Sequence, residues 1–333
     1  MQALVAEGLP GVVAVGPDFA GAAGVANIET GEPLTPEHRF RIGSVTKIFV
    51  GALVLQLVAE GTLSLDDDAG PLVQGVTIRQ LLNHTSGLPD FQDDMVALFE
   101  PYREDPNYRW PLAPRDQLAL VLEKPRLFAP GEDWEYHGSN YLALGLLVED
   151  ATGSKLRDEL RSRIFEPLGL AATDLVDEPL TDNRCARGYL PPDNPALPGP
   201  GPVDVTELDL PFYWAGGGVV STAGDVARML AALLGGDFLP DELRVEMLGA
   251  VESDWAETDR YGLGIGEISA VMERERSRCG SAWGHVGFSA GYTAIALGSE
   301  DGERQVVVMT NWNVDSEGAW DAVGGLIWDL YCA

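Results

Sequence analysis

The sequence predicts an α+β fold: an antiparallel sheet flanked by helices, with a mostly helical region inserted between its two halves. Three observations predict it. Short apolar runs bounded by Gly, Pro and Asp occur early, at Gly11–Val15 and Ala20–Ile28, and late, at Tyr261–Ile268, Ala282–Val286, Gly291–Leu297 and Gln305–Thr310. The late runs are joined by short turns, which makes neighbouring strands antiparallel. Between the two sets, from Asp66 to about Asp204, the signals are helix and loop.

The elements follow in order. A short helical end precedes the first strand. Ser44–Glu60 reads as a helix that Gly61 ends. Its Ile48, Phe49, Val50, Leu53, Leu55 and Leu57 cover every face, so this helix is expected to be buried on most sides. Helical periodicity returns at Thr77–Leu82, Arg115–Leu122, Tyr141–Asp150 and Leu156–Ile164. Pro101–Pro114 and Pro191–Pro202 are rich in proline and turn residues and read as surface loops, the alternative being loops that shape a pocket. After Gly216-Gly217-Gly218 come helices at Thr222–Leu234 and Asp241–Leu248, then the late strands, then an amphipathic helix at Glu317–Tyr331. The expected division is a sheet domain from 1–65 and 205–333 and a mostly helical domain from 66–204, with an active site in the cleft between them.

Composition narrows the function. The 333 residues include 52 acidic and 22 basic side chains, a net charge of −30. Nucleic acid and anionic membranes need clustered Lys and Arg, so neither is an expected partner. A hydrophobic content of 45 % supports one large core or two modest ones and excludes a disordered chain. No apolar run approaches the roughly 18 residues of a membrane span. No basic stretch leads into an apolar one at the start, so a cytoplasmic location is expected, or a secreted one if a signal peptide has been removed. Three cysteines and four scattered histidines (His38, His84, His137, His285) suggest neither a disulfide scaffold nor a zinc site. No metal and no cofactor are expected.

Three short stretches carry the chemistry. In Arg41-Ile-Gly-Ser44-Val-Thr-Lys47, Ser44 and Lys47 are three apart and share a helix face. A helix start offers backbone N–H groups to an anion, and a lysine kept neutral by burial can act as a base. In Trp283-Gly-His285-Val-Gly287-Phe288, a histidine on a strand is followed by a glycine that lets a ligand lie along the strand edge. In Trp134-Glu-Tyr136-His-Gly138-Ser-Asn140, a tyrosine precedes a helix and can share a proton with a lysine. Taken singly, each reads more readily as a cap, a satisfied strand histidine or a packed aromatic ring.

Together, and in this order, the three resemble the penicillin-recognising serine hydrolases, the group of serine β-lactamases, D-Ala-D-Ala carboxypeptidases, D-amino-acid peptidases and β-lactamase-like esterases. The likeness is nearest to the soluble D-Ala-D-Ala carboxypeptidases with His in the third motif. Leu81-Leu-Asn-His-Thr-Ser-Gly-Leu88, Pro130-Gly131, Gly216-Gly-Gly-Val-Val-Ser-Thr222 and Tyr261-Gly-Leu-Gly264 add to it. The resemblance implies a β-lactamase/transpeptidase-like fold and an acyl-enzyme on Ser44. Lys47 would take the serine proton, Tyr136 would relay a proton to the leaving group, and His285 would stand where β-lactamases carry a lysine. The backbone N–H groups of Ser44 and Phe288 would form the oxyanion hole. Gly138, Val286, Gly287, Phe288 and Trp214 are the candidates for contacting substrate. The resemblance also implies a disulfide between Cys279 and Cys332; Cys185 has no evident mate.

Two departures shape the expected specificity. The family's Tyr-x-Asn reads Tyr136-His137-Gly138 here, so the amide that orients the lysine and holds a substrate carbonyl is missing, and Asn140 is expected to point elsewhere. In the third motif Val286 and Phe288 replace the threonines that help bind a C-terminal carboxylate. The rim would be apolar and poor in donors for an anion. The expectation is therefore a small-molecule ester or amide substrate, neutral or cationic, with hydrolysis or transfer of the acyl group to an amine acceptor. A D-Ala-D-Ala carboxypeptidase or D-amino-acid peptidase is the alternative, and a catalytically idle binding protein or scaffold a further one.

Overall fold

The computed structural model describes residues 1–91, 95–176, 178–236, 238–254, 258–268, 279–314 and 316–333. Among the described residues, nine strands form an antiparallel sheet in the order Glu32–Pro33, Phe19–Asn27, Gly11–Gly16, Gln305–Thr310, Tyr292–Gly298, Ala282–Ser289, Gly266–Ile268, Arg260–Tyr261, Val251–Glu252. Val12 pairs with Thr310 and Val15 with Val307, so an early and a late stretch of the chain lie side by side within the sheet.

Side chains alternate across this sheet. Val13, Ala294, Ala296, Val307 and Met309 pack into the core shared with the helices Thr46–Ala59 and Ala223–Leu234. Val12, Ala14, Ile295, Leu297, Val306 and Val308 pack under the helix Glu317–Tyr331, against Val323, Ile327 and Trp328. Both faces are covered, which is why these strands read as continuous apolar runs rather than as alternating ones. A smaller sheet joins Phe40–Arg41, Val219–Ser221 and Asp174–Leu175. It places the chain just before Ser44 beside the chain just after Gly216–Gly218.

The middle of the chain holds the helices Ile78–Leu82, Pro114–Glu123, Ser139–Thr152 and Leu156–Leu160. Thr77 caps the first through a reciprocal pair with Gln80.

Several expected elements differ in detail. The run Ser44–Glu60 divides into a 3₁₀ turn at Gly43–Val45 and an α-helix at Thr46–Ala59. The run Tyr261–Ile268 breaks into two short strands, and Leu156–Ile164 leaves α geometry for a π turn at Arg161–Phe165. Pro101–Pro114 is not simply a surface loop: a helix spans Glu100–Glu104, and the buried Tyr102 donates its hydroxyl proton to the Asp209 carbonyl. The ring supplies the burial that the prolines hide from a composition reading. Cys279 and Cys332 form a disulfide with Cα atoms 5.3 Å apart, tying the end of the last helix to the sheet, and Cys185 is free and buried. Among the described residues, no helix is long and apolar enough to cross a membrane.

Candidate active site

The site is built where the turn ahead of the Thr46–Ala59 helix meets the Ala282–Ser289 strand. Two glycines permit the contact. Gly43 has φ +50°, and a Cβ there would lie 2.4 Å from the Phe288 carbonyl oxygen. A Cβ on Gly287 would lie 2.0 Å from the Ile42 carbonyl oxygen and 3.0 Å from the Ser44 nitrogen. Only bare backbones approach this closely. Among the described residues, the strand's pairing with Gly266–Ile268 extends only as far as Gly284.

Lys47 follows one turn after Ser44. Its Nζ donates to Ser44 Oγ at 2.9 Å and to the Gly216 carbonyl at 2.8 Å. Burial removes water from the ammonium and lowers the Lys47 pKa to about 7, with Asp90 pulling the other way. With the lysine neutral, the same contact lets the amine accept the Ser44 proton.

Tyr136 lies over this pair, with Lys47 Nζ 4.9 Å from its ring centroid. His84 packs its ring against that of Tyr136, centroids 4.4 Å apart. Its backbone is left-handed, φ 64°, a conformation a non-glycine residue holds only when its surroundings fix it. His84 Nδ1 faces the Asn140 amide at 3.1 Å, and burial, then Lys47, keep its ring neutral. Asn140 points away from the cavity, as expected, with its Oδ1 accepting from Ser86 Oγ at 2.5 Å.

His285 is wholly buried behind Tyr136, ring centroids 5.9 Å apart, and does not itself line the cavity. Its Nδ1 donates to the Val286 carbonyl at 2.5 Å, so Nε2 accepts from the Tyr261 hydroxyl at 2.9 Å. Burial, then Lys47, hold its pKa down to about 3. His285 therefore cannot supply the positive charge of the lysine whose place the resemblance gives it.

Ser44, Lys47, Tyr136, Gly138 and Phe288 open together onto a cavity of about 220 Å³, with Asp90, Phe91, Phe212 and Tyr213 completing its walls. Tyr213 and Phe288 also border an adjoining cavity of about 270 Å³.

Two candidates for substrate contact are corrected. Trp214 is buried and turned toward the Ser139–Thr152 helix, where its ring fills the space beside Gly145; Ala215, Gly216 and Gly217 line the cavity instead. Val286 sits on the opposite face of its strand from His285 and joins the core beneath the last helix. The apolar rim is therefore made by Phe288, which is 38 % exposed and rests against Trp320.

Sequence reasoning missed Asp90. It follows Leu81–Leu88 by two residues, and in a chain with 52 acidic side chains one more acid carries no signal. Its Oδ1 accepts from the Ser139 N–H at 2.9 Å and the Ser139 hydroxyl at 3.0 Å, and its Oδ2 lies 3.4 Å from His137 Nδ1. Burial pushes its carboxyl upward, but His137 and the Ser139 donors outweigh that and hold it below the usual range. Phe91, Phe212 and Tyr213 were missed too, because lone aromatics between turn residues look like any packed ring.

The chain is similar to known proteins along most of its length. The sequence profile of the family described as Beta-lactamase matches residues 2–324. The chain is 27 % identical over 312 residues to Penicillin-binding protein 4* of Bacillus subtilis (strain 168), covering 88 % of this chain and 65 % of that protein. It is 31 % identical over 296 residues to Esterase EstB of Burkholderia gladioli, covering 76 % of this chain and 71 % of the esterase. Among solved structures, D-amino acid amidase from Ochrobactrum anthropi SV3, complexed with L-phenylalanine amide, superposes with a TM-score of 0.82 at 28 % identity, covering 98 % of this chain and 94 % of that one.

Proposed function

The chain belongs to the beta-lactamase family, and from that premise we propose that it is a serine-dependent acyl-transferring enzyme acting on an ester or amide of a small molecule or peptide. One observation carries the reading: the Lys47 amine, whose pKa burial lowers to about 7, touches the Ser44 hydroxyl at the wall of a cavity. That contact also speaks against an idle scaffold.

In this reading Ser44 Oγ forms a bond to the substrate carbonyl carbon as its proton passes to Lys47 Nζ. The carbonyl oxygen becomes an oxyanion facing the backbone N–H groups of Ser44 and Phe288. Such a donor is typically worth about 3 kcal/mol in the transition state. The proton travels through the Tyr136 phenol to the leaving oxygen or nitrogen, the bond to it breaks, and an acyl group remains on Ser44. Water or an amine then attacks that ester, its proton following the same route back. Hydrolysis and aminolysis share every residue up to this last step. His285 acts as a positioning residue, a neutral support behind Tyr136. The cavity is read as the cleft between a sheet unit, 1–65 and 205–333, and a helical unit, 66–204.

The likeness to an esterase and to a D-amino acid amidase supports esters and amides as the substrate class, and it keeps D-amino-acid peptidase activity as a second reading. Phe288 at the rim, in place of a hydroxyl, weighs against a peptidoglycan carboxypeptidase. A disulfide such as Cys279–Cys332 persists in oxidising surroundings, which weighs toward a secreted form over the cytoplasmic location expected from the sequence.

A fluorophosphonate probe read by intact-protein mass spectrometry tests the proposal. The expected result is one adduct, lost in Ser44→Ala. A folded wild-type protein that takes no adduct at any probe concentration overturns it.

A further inference from the structure

We propose that Asp90 is a specificity-determining residue that receives the ammonium group of a cationic substrate in the space Gly138 leaves open. The inference rests on the acyl-transfer reading above and names its substrate class.

Gly138 carries the first half of the argument. It stands at the start of the Ser139–Thr152 helix with φ −63° and ψ −27°, angles that any residue adopts. A Cβ there would meet only Asp90 Oδ1, at 3.6 Å, an ordinary contact. Neither the backbone nor the packing asks for glycine. The missing side chain therefore acts on the cavity itself, leaving the Asp90 carboxylate as the polar group on that side.

Asp90 carries the second half. Its Oδ1 is fixed by two donors of Ser139, its Oδ2 faces His137 Nδ1 at 3.4 Å, and with 35 % of the side chain exposed the carboxylate still lines the cavity. Among the described residues of the wall, Lys47 is the other charged group; burial lowers its pKa to about 7, so it carries only part of its charge at neutral pH while Asp90 stays ionised. Phe91, Tyr136, Phe212 and Tyr213 line the same space, and aromatic faces attract cations. The surrounding charge of −30 draws cations toward the opening and repels anions. Holding the Ser139 donors at the N-terminus of the Ser139–Thr152 helix needs only one acceptor oxygen, which an asparagine also offers.

The test is calorimetric titration at neutral pH with phenethylamine, an ammonium ion under these conditions, and with its neutral counterpart 2-phenylethanol. Wild type should bind the ammonium about tenfold tighter or more. Asp90→Asn keeps an acceptor for Ser139 and should bring the two ligands to within about twofold of each other. Gly138→Asn, which fills the space without removing the carboxylate, should weaken the ammonium more than the alcohol. Equal affinities in wild type, or a preference that survives Asp90→Asn, overturn the inference; if Asp90→Asn does not fold, wild type and Gly138→Asn decide. Binding needs no turnover, so the two levels separate. Ser44 labelled by fluorophosphonate with no ammonium preference sinks Asp90 alone, and an ammonium preference with no labelling sustains the cation site while removing the enzyme.

Discussion

Lys47 and Asp90 face one cavity, yet the fold treats them in opposite ways. Lys47 is 2 % exposed on an otherwise apolar helix, and its hydrogen bonds to Ser44 Oγ and the Gly216 carbonyl do not outweigh desolvation. It gives up its charge easily. Asp90 is partly buried, but donors of Ser139 and the nearby His137 offset its desolvation and keep the carboxylate ionised. Burial alone does not decide a protonation state; the local donors do. A base and a fixed anion can then share one cavity.

The sharpest way to break the comparison is to remove the base. Lys47→Ala should lower kcat/KM by about a thousandfold, the scale of a lost general base. The melting temperature should hold, since the side chain faces the cavity. Turnover that survives would pass the proton to another group, and a collapse in stability would make Lys47 structural.

A smaller loss should follow from Gly287→Ala. The added Cβ meets the Ile42 carbonyl at 2.0 Å and must push the strand from the turn that holds Ser44. Displacement of this kind costs about a hundredfold in rate. Steady-state kinetics beside a melting curve check it, and an unaffected kcat would show that the contact does not set the reacting geometry.

The smallest effect bears on the coupling of the two charges. Lys47 works as a base only when unprotonated, so kcat/KM should rise with pH through about 7. Asp90 favours the ammonium form, so Asp90→Asn should lower the Lys47 pKa and move that rise to more acidic pH. His84 and His285, both held neutral, should contribute no limb of their own near neutrality. A pH–rate profile that moves the other way, or not at all, would uncouple Asp90 from Lys47.

Much of this architecture was legible because it is written locally. Ser44 and Lys47 are three apart, and any helical turn over that stretch brings them onto one face. The helix that carries Lys47 is apolar on every face and is buried as such a sequence must be. The helices Asp241–Leu248 and Glu317–Tyr331 and the strand Gln305–Thr310 begin and end where their patterns do.

What tertiary structure alone decided was direction and company. Both faces of the central sheet are covered, so its apolar runs do not reveal which residues look toward the site. Val286 turned into the core for that reason, whereas Trp214, off the sheet, packs against the helix beside Gly145. The pairing of Asp90 with Ser139 spans 49 residues, and the meeting of Gly287 with Ile42 joins distant parts of the chain. Spacing rules reach as far as one helical turn or one strand repeat. Beyond that range packing chooses the neighbours, and at this site packing selected the charge that faces the substrate.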